Sequence, residues 1–166
     1  MRSRPAELAD LALIQRWRQE RVEWLRCRGS DQWSESGLTG DDFAHRVAES
    51  IAARGTWILE RNGIPVGTIA VDTMSDPGLW SPAELDGAYV LHRMIVPTAA
   101  AGTGVGDALL AHADALARAR GKKRLILDAW TSNAKLHAYY EKRGFRRVRT
   151  VENHWTPSAA LFERIL

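Results

Sequence analysis

The chain has 166 residues, 45% hydrophobic and 26% charged. That is a globular composition, which excludes a disordered, collagenous or fibrous chain, and the length suits one domain spanning 1–166. Its 23 Lys and Arg against 20 Asp and Glu leave a net charge of +3, too small to single out a nucleic-acid partner. The one cysteine, Cys27, cannot close an internal disulfide. With no signal-peptide core and no apolar run of bilayer length, a cytoplasmic protein without a membrane partner is expected.

Leu8, Leu11, Ile14, Trp17, Val22 and Leu25 recur near helical spacing and predict one amphipathic helix over 6–26. The turn-rich segment 28–34 ends it. Asp41-Asp42 opens a second helix carrying Phe43, Val47 and Ile51, stopped by Gly55. Residues 56–60 and 66–71, joined through Asn62-Gly63, predict a β-hairpin. Residues 75–86 hold two prolines and a glycine and predict a loop. A strand over 88–96 follows, then a glycine-rich loop, a helix over 107–120 and a buried strand over 124–130. A helix over 133–143 closes at Gly144, and strands over 146–151 and 160–166 finish the chain. Strand, helix, strand in the middle implies a parallel pair, while the hairpin implies antiparallel neighbours, so a mixed sheet flanked by helices is expected. The dense basic stretches, 122–124 and 143–149, read first as solvated turns and an edge strand.

The loop after the 88–96 strand is the most informative segment: Ala101-Gly102-Thr103-Gly104-Val105-Gly106-Asp107. A strand feeding alternate glycines that open a helix points backbone N–H groups and a helix N-terminus at one spot. Missing side chains let a phosphate approach closely. A P-loop is excluded because no Lys-Ser/Thr follows. The dinucleotide fingerprint fails too, since Asp107 breaks its glycine spacing. A flexible connector stays open as the plainer reading. The second segment runs from Asn133 to Phe145. Asn133 and Tyr140 stand seven apart, two helical turns, and share a face; a helical Tyr by itself more often packs than reacts.

Together the two segments resemble the GNAT superfamily of acyl-CoA-dependent N-acetyltransferases. That family's loop pattern, Arg or Gln, two residues, Gly, one residue, then Gly or Ala, falls on Ala101 to Gly106, with Ala101 in place of the Arg or Gln. Its later pattern falls on Asn133, Tyr140, Gly144 and Phe145. The resemblance implies an α+β (mixed α/β) GNAT-like fold: a mostly antiparallel mixed sheet with a central splayed parallel pair, flanked by about four helices. It also implies a first strand before Pro5, short or absent here.

The resemblance further implies acetyl-CoA as co-substrate, with no metal. Its pyrophosphate would meet Ala101, Gly102, Thr103, Gly104, Val105 and Gly106. Its pantetheine arm would run along Met94 and Val96 like an added strand, with Asn133 on its other side. The N–H near Met94 would face the oxyanion, and Tyr140 would protonate the leaving thiolate as general acid. The position where several members carry a Glu base is Val90. His92, two residues on and on the same strand face, has the chemistry of a base, a packed histidine being the alternative. Glu84 and Asp86 precede this strand and read first as plain surface loop carboxylates, holding a water or a cationic acceptor being the alternative. Asp128 interrupts an apolar strand and needs a partner if buried, either facing the acceptor or anchoring a loop. Trp33, Trp80, Trp130 and Trp155 are core residues by default and candidate walls of an acceptor site.

The expected activity is acetyl transfer to a primary amine of a small molecule, by a protein free to form a homodimer. A non-catalytic acyl-CoA sensor, suggested by Ala101 and Val90, is the alternative, and Tyr140 argues against it. A nucleic-acid-binding module ranks last because it leaves the paired motifs unexplained. The acceptor site is expected in the first helices and loops, about 17–39.

Overall fold

In the computed structural model, which describes residues 1–33 and 40–166, the chain forms two compact units. One comprises Met1–Val71 with Arg93–His112, the other Asp72–His92 with Ala113–Leu166. The part of the expected acceptor region at 34–39 lies outside the described residues.

In the first unit, β1 (Arg2–Pro5) is a four-residue strand, so the expected first strand is present and short. Arg4 secures it: its guanidinium grips Asp10 bidentately at 2.7 and 2.8 Å and reaches Glu60 at 2.7 Å. Arg4 and the Glu7 N–H hold the Asp10 carboxyl below its ordinary range, against the opposing effect of burial. The single predicted first helix divides into a 3-10 turn at Leu8–Asp10 and α1 (Leu11–Arg26). After α2 (Gly40–Ala52) come β2 (Thr56–Arg61) and β3 (Ile64–Asp72), antiparallel to each other. Asn62 and Gly63 at φ 53° and 78° supply the two left-handed positions of a type I′ turn. Ile14 and Trp17 of α1 and Phe43, Val47 and Ile51 of α2 bury their apolar stripes with Ile58 and Ile95, the amphipathic pattern that made both helices legible.

In the second unit, α3 (Pro82–Leu85) is one helical turn inside the predicted loop. Ser81 and Glu84 close a reciprocal capping box around it, with Pro at its start, which stabilises a turn as short as this. Next comes β4 (Ala88–Ile95), whose last three residues belong to the first unit. Helix α4 (Val105–Ala119) leads to β5 (Arg124–Ala129), which pairs with β4 in parallel from Ala88↔Arg124 to Leu91↔Leu127. The register stops there, and Arg93, two residues on, takes φ 47°, a left-handed conformation that interrupts a regular pleat. Then follow α5 (Ala134–Glu141), β6 (Arg146–Thr150) and β7 (Ala160–Ile165), with β7 antiparallel to both β5 and β6. Leu79, Trp80, Ala88, Val90, Ile126, Ala159 and Leu161 form this unit's apolar cluster.

The strand order is β1-β2-β3-β4-β5-β7-β6: seven strands, mostly antiparallel, with one parallel pair, the mixed α/β architecture expected. Among the described residues five α-helices stand where about four were predicted, the fifth being the single turn α3. Among the described residues no helix is long and apolar enough to cross a membrane.

Candidate active site

The glycine loop lies in the first unit. After Pro97 the chain makes a 3-10 turn at Thr98–Ala100, tied to α1 by the Thr98 N–H donating to the Glu20 carboxylate at 2.8 Å. Gly102 and Gly104 take φ 74° and 81°, where L side chains are strained. A Cβ on either would meet nothing within 4 Å, so these glycines are required by backbone conformation and leave the loop face open. The helix begins at Val105, two residues before its predicted start, and the Ala108 N–H bonds the Gly104 carbonyl at 3.0 Å. The N–H groups of Val105 and Gly106 thus precede the helical ladder, at the positive end of the helix. Ala101, Gly102, Thr103 and Gly104 are exposed and Val105 is buried. This is a backbone cradle fit for a phosphate. Met94 and Val96 are half-buried on either side of buried Ile95, with Val96 just past the end of β4.

The titratable candidates His92, Asp128 and Tyr140 lie in the second unit. His92 Nε2 stands 2.8 Å from the Met74 carbonyl oxygen and 3.2 Å from Asp72 Oδ1. A carbonyl oxygen only accepts, so Nε2 carries a proton and donates it, and Nδ1 is the ring nitrogen outside these two contacts. Val90 is fully buried in the apolar cluster, so that position holds no proton acceptor. Asp128 Oδ2 accepts from Ser158 Oγ at 2.6 Å, a loop-anchoring hydrogen bond of the kind that was one of its open alternatives. Burial, above all, raises its carboxyl above the usual range; His92 and Ser158 oppose that shift and Asp76 adds to it.

Tyr140 is 9% exposed, edge-on to Phe145 and Tyr139. Burial, then Tyr139 and Asp128, push its hydroxyl well above the ordinary tyrosine value, with Arg143 opposing. Among the described residues no protein group hydrogen-bonds that hydroxyl. Asn133 stands before α5 rather than inside it. As N-cap it accepts the Leu136 N–H on its side-chain oxygen at 3.0 Å.

The remaining candidates sort by burial and pairing. Trp80 and Trp130 are buried, Trp155 is exposed, and Trp33 packs on the first unit's apolar cluster. Glu84 is bound to Arg149 at 2.6 Å, which with the Ser81 backbone holds its carboxyl down to about 2. The basic stretches are engaged internally: Arg124 donates to the Glu84 carbonyl at 2.9 Å, Arg143 lies 3.6 Å over the Tyr139 ring, and Arg146 bonds Glu163. Asp72, the Met74 carbonyl and Ser158, which hold His92 and Asp128, are neighbours that no local sequence pattern marked.

Residues 14–145 match the sequence profile described as Acetyltransferase (GNAT) family. The Bacillus subtilis (strain 168) protein named Uncharacterized N-acetyltransferase YesJ is 29% identical over 127 residues, covering 75% of this chain and 69% of its own length. Among solved structures, a GNAT-family acetyltransferase from Listeria monocytogenes 4b F2365 superposes with a TM-score of 0.81 at 24% identity, over 99% of this chain and 94% of that one. The PaiA N-acetyltransferase of Thermoplasma acidophilum, solved in complex with coenzyme A, gives a TM-score of 0.72 at 14% identity, over 99% and 98%. The chain belongs to the GNAT family of acyl-CoA-dependent N-acetyltransferases.

Proposed function

We propose that the protein transfers the acetyl group of acetyl-CoA to a primary amine of a small molecule by direct attack. The observation that carries this reading is the provision, within one unit, of an imidazole bonded through Nε2, which leaves Nδ1 to accept a proton, and a buried tyrosine hydroxyl with no protein hydrogen-bond partner among the described residues. The cradle of Gly102, Thr103, Gly104, Val105 and Gly106, with the Ala101 backbone, takes the pyrophosphate, and Met94 and Val96 take the pantetheine arm together with Asn133. A CoA-bound relative of the same fold supports this assignment.

An alkylammonium with pKa around 10 is about a thousandfold too protonated at pH 7 to attack. His92 Nδ1 accepts its proton, directly or through one water. The carboxylates of Asp72 beside His92 and Asp76 near Asp128 favour a cationic acceptor over an anionic one. As the nitrogen–carbon bond forms, the Met94 N–H donates to the carbonyl oxygen, where charge develops. The carbon–sulfur bond then breaks, the former amine nitrogen gives up its second proton to water, and the Tyr140 hydroxyl donates to the departing sulfur. Thiols ionise near 8.5, below a tyrosine raised by burial, so the hydroxyl stabilises the thiolate as a hydrogen-bond donor and transfers its proton only as solvent replaces it.

The test is calorimetric titration with acetyl-CoA and CoA, then thiol release across a panel of small primary amines, with His92→Gln beside the wild type. Micromolar binding, release with some amines, and loss in the variant of the limb that rises with pH are expected. Tight binding without release from any amine would leave an acyl-CoA binder and refute the catalytic reading.

A further inference from the structure

Resting on the acetyl-CoA reading above, we propose that Arg61, at the end of β2, is the positioning cation of the glycine loop, turning the Gly104 N–H toward the pyrophosphate of CoA and supplying the positive charge that Ala101 does not. The Arg61 guanidinium donates through Nη2 to the Thr103 carbonyl at 2.9 Å and to Thr103 Oγ1 at 3.2 Å. Thr103 Oγ1 in turn donates to the Ala100 carbonyl at 2.8 Å. The hairpin and the loop are therefore joined by one network, although 42 residues of sequence separate the two ends.

The geometry of the peptide unit does the rest. Among the described residues no peptide bond is cis, and in a trans unit the carbonyl and the following N–H point in opposite directions. Drawing the Thr103 carbonyl to Arg61 sends the Gly104 N–H to the other side. Among the described residues that N–H donates to no backbone group. A cation on the carbonyl also polarises the unit and strengthens the N–H as a donor.

Arg61 is free to serve this way. Among the described residues no carboxylate pairs with it, and its Nε and Nη1 have no protein acceptor. Its neighbour Glu60 is taken by Arg4. A half-exposed arginine held on Thr103, with no carboxylate paired to it among the described residues, leaves its positive charge to act across the peptide unit on an anion at that loop. Lysine has the charge but carries it as a compact, strongly hydrated ammonium on a flexible stem. It is held less firmly over the carbonyl and hydroxyl of Thr103 than the planar guanidinium, whose Nη2 reaches both.

The experiment is calorimetric titration of wild type, Arg61→Gln and Arg61→Lys with CoA, 3′-dephospho-CoA and millimolar pantetheine, with thermal unfolding alongside. Arg61→Gln is expected to weaken CoA and 3′-dephospho-CoA equally, by about tenfold for a lost charge-assisted interaction. Pantetheine binding and the unfolding midpoint are expected to stay unchanged, and Arg61→Lys to recover only part of the loss. Unchanged CoA affinity, an equal loss for pantetheine, a loss that disappears without the 3′-phosphate, or complete recovery by lysine would each overturn the proposal. A wild type that binds no CoA would instead overturn the acetyl-CoA reading.

Discussion

Gly67, in the middle of β3, is where one added methyl group is expected to disturb both stability and the loop. A Cβ built there stands 2.8 Å from Val105 Cγ1, 3.2 Å from Leu109 Cδ1 and 3.3 Å from the Ile95 carbonyl oxygen. Carbon atoms rest at about 3.5–4.0 Å, so Gly67→Ala overlaps Val105 by about 0.7–1.2 Å. Leu109 has rotamer freedom to yield, whereas a helical valine is held in one strongly preferred rotamer, and Ile95 presents backbone. Relief must come from α4 rising off β3 at its first turn, the turn whose N–H groups open the cradle. Overpacking of this kind costs about 1–3 kcal/mol, and the glycine's lost unfolded-state freedom returns about 0.4–1 kcal/mol. A net loss of about 1–2 kcal/mol lowers the midpoint of a chain this long by about 2–8 °C. The assay is thermal and urea unfolding of Gly67→Ala, Val105→Ala and the double variant, with CoA titration of each. Val105→Ala is expected to cost less in the Gly67→Ala background, with a coupling of at least about 0.5 kcal/mol, and CoA affinity to fall in Gly67→Ala. Strictly additive stabilities, or an unaltered midpoint for Gly67→Ala, would refute the close approach as the reason for this glycine.

Tyr140→Phe retains the ring that packs on Phe145 and removes the donor. Turnover is expected to fall by about a hundredfold with acetyl-CoA affinity nearly unchanged in calorimetry, and equal losses in both would mean a binding role only. Glu84 is held at about 2 by Arg149 and Ser81, so its contribution is present above the unfolded value of 4.5 and is lost as pH falls toward 2. Glu84→Gln is expected to show a smaller drop in urea midpoint between pH 6 and pH 3 than the wild type, a difference kept under about 1 kcal/mol by solvent screening of a largely exposed pair; parallel pH curves would refute the assignment.

Where the backbone itself demands a residue, the sequence was readable. Asn62-Gly63 specified the hairpin because few residues accept two consecutive left-handed positions, and the alternate glycines marked the cradle for the same reason. Errors fell where one signal masked another. The glycines hid the first turn of α4, and the prolines around 77–82 concealed α3, although Ser81 and Glu84 already stood at capping-box spacing. β1 has no apolar period, being held by Arg4 across to Glu60. The site divides along the same line. The glycine loop's backbone conformation was legible from local spacing, but the long-range contacts of the candidate residues were not, because Arg61 meets Thr103 across 42 residues and Ser158 meets Asp128 across 30. Val90 shows what such contacts decide. Within Leu79, Trp80, Ile126 and Leu161, a carboxylate at that position would lose its hydration with no cation in the cluster to replace it. A proton acceptor on this strand must therefore stand where the strand leaves the apolar cluster. His92, half-buried and bonded at Nε2 to the Met74 carbonyl, is the group that meets that requirement.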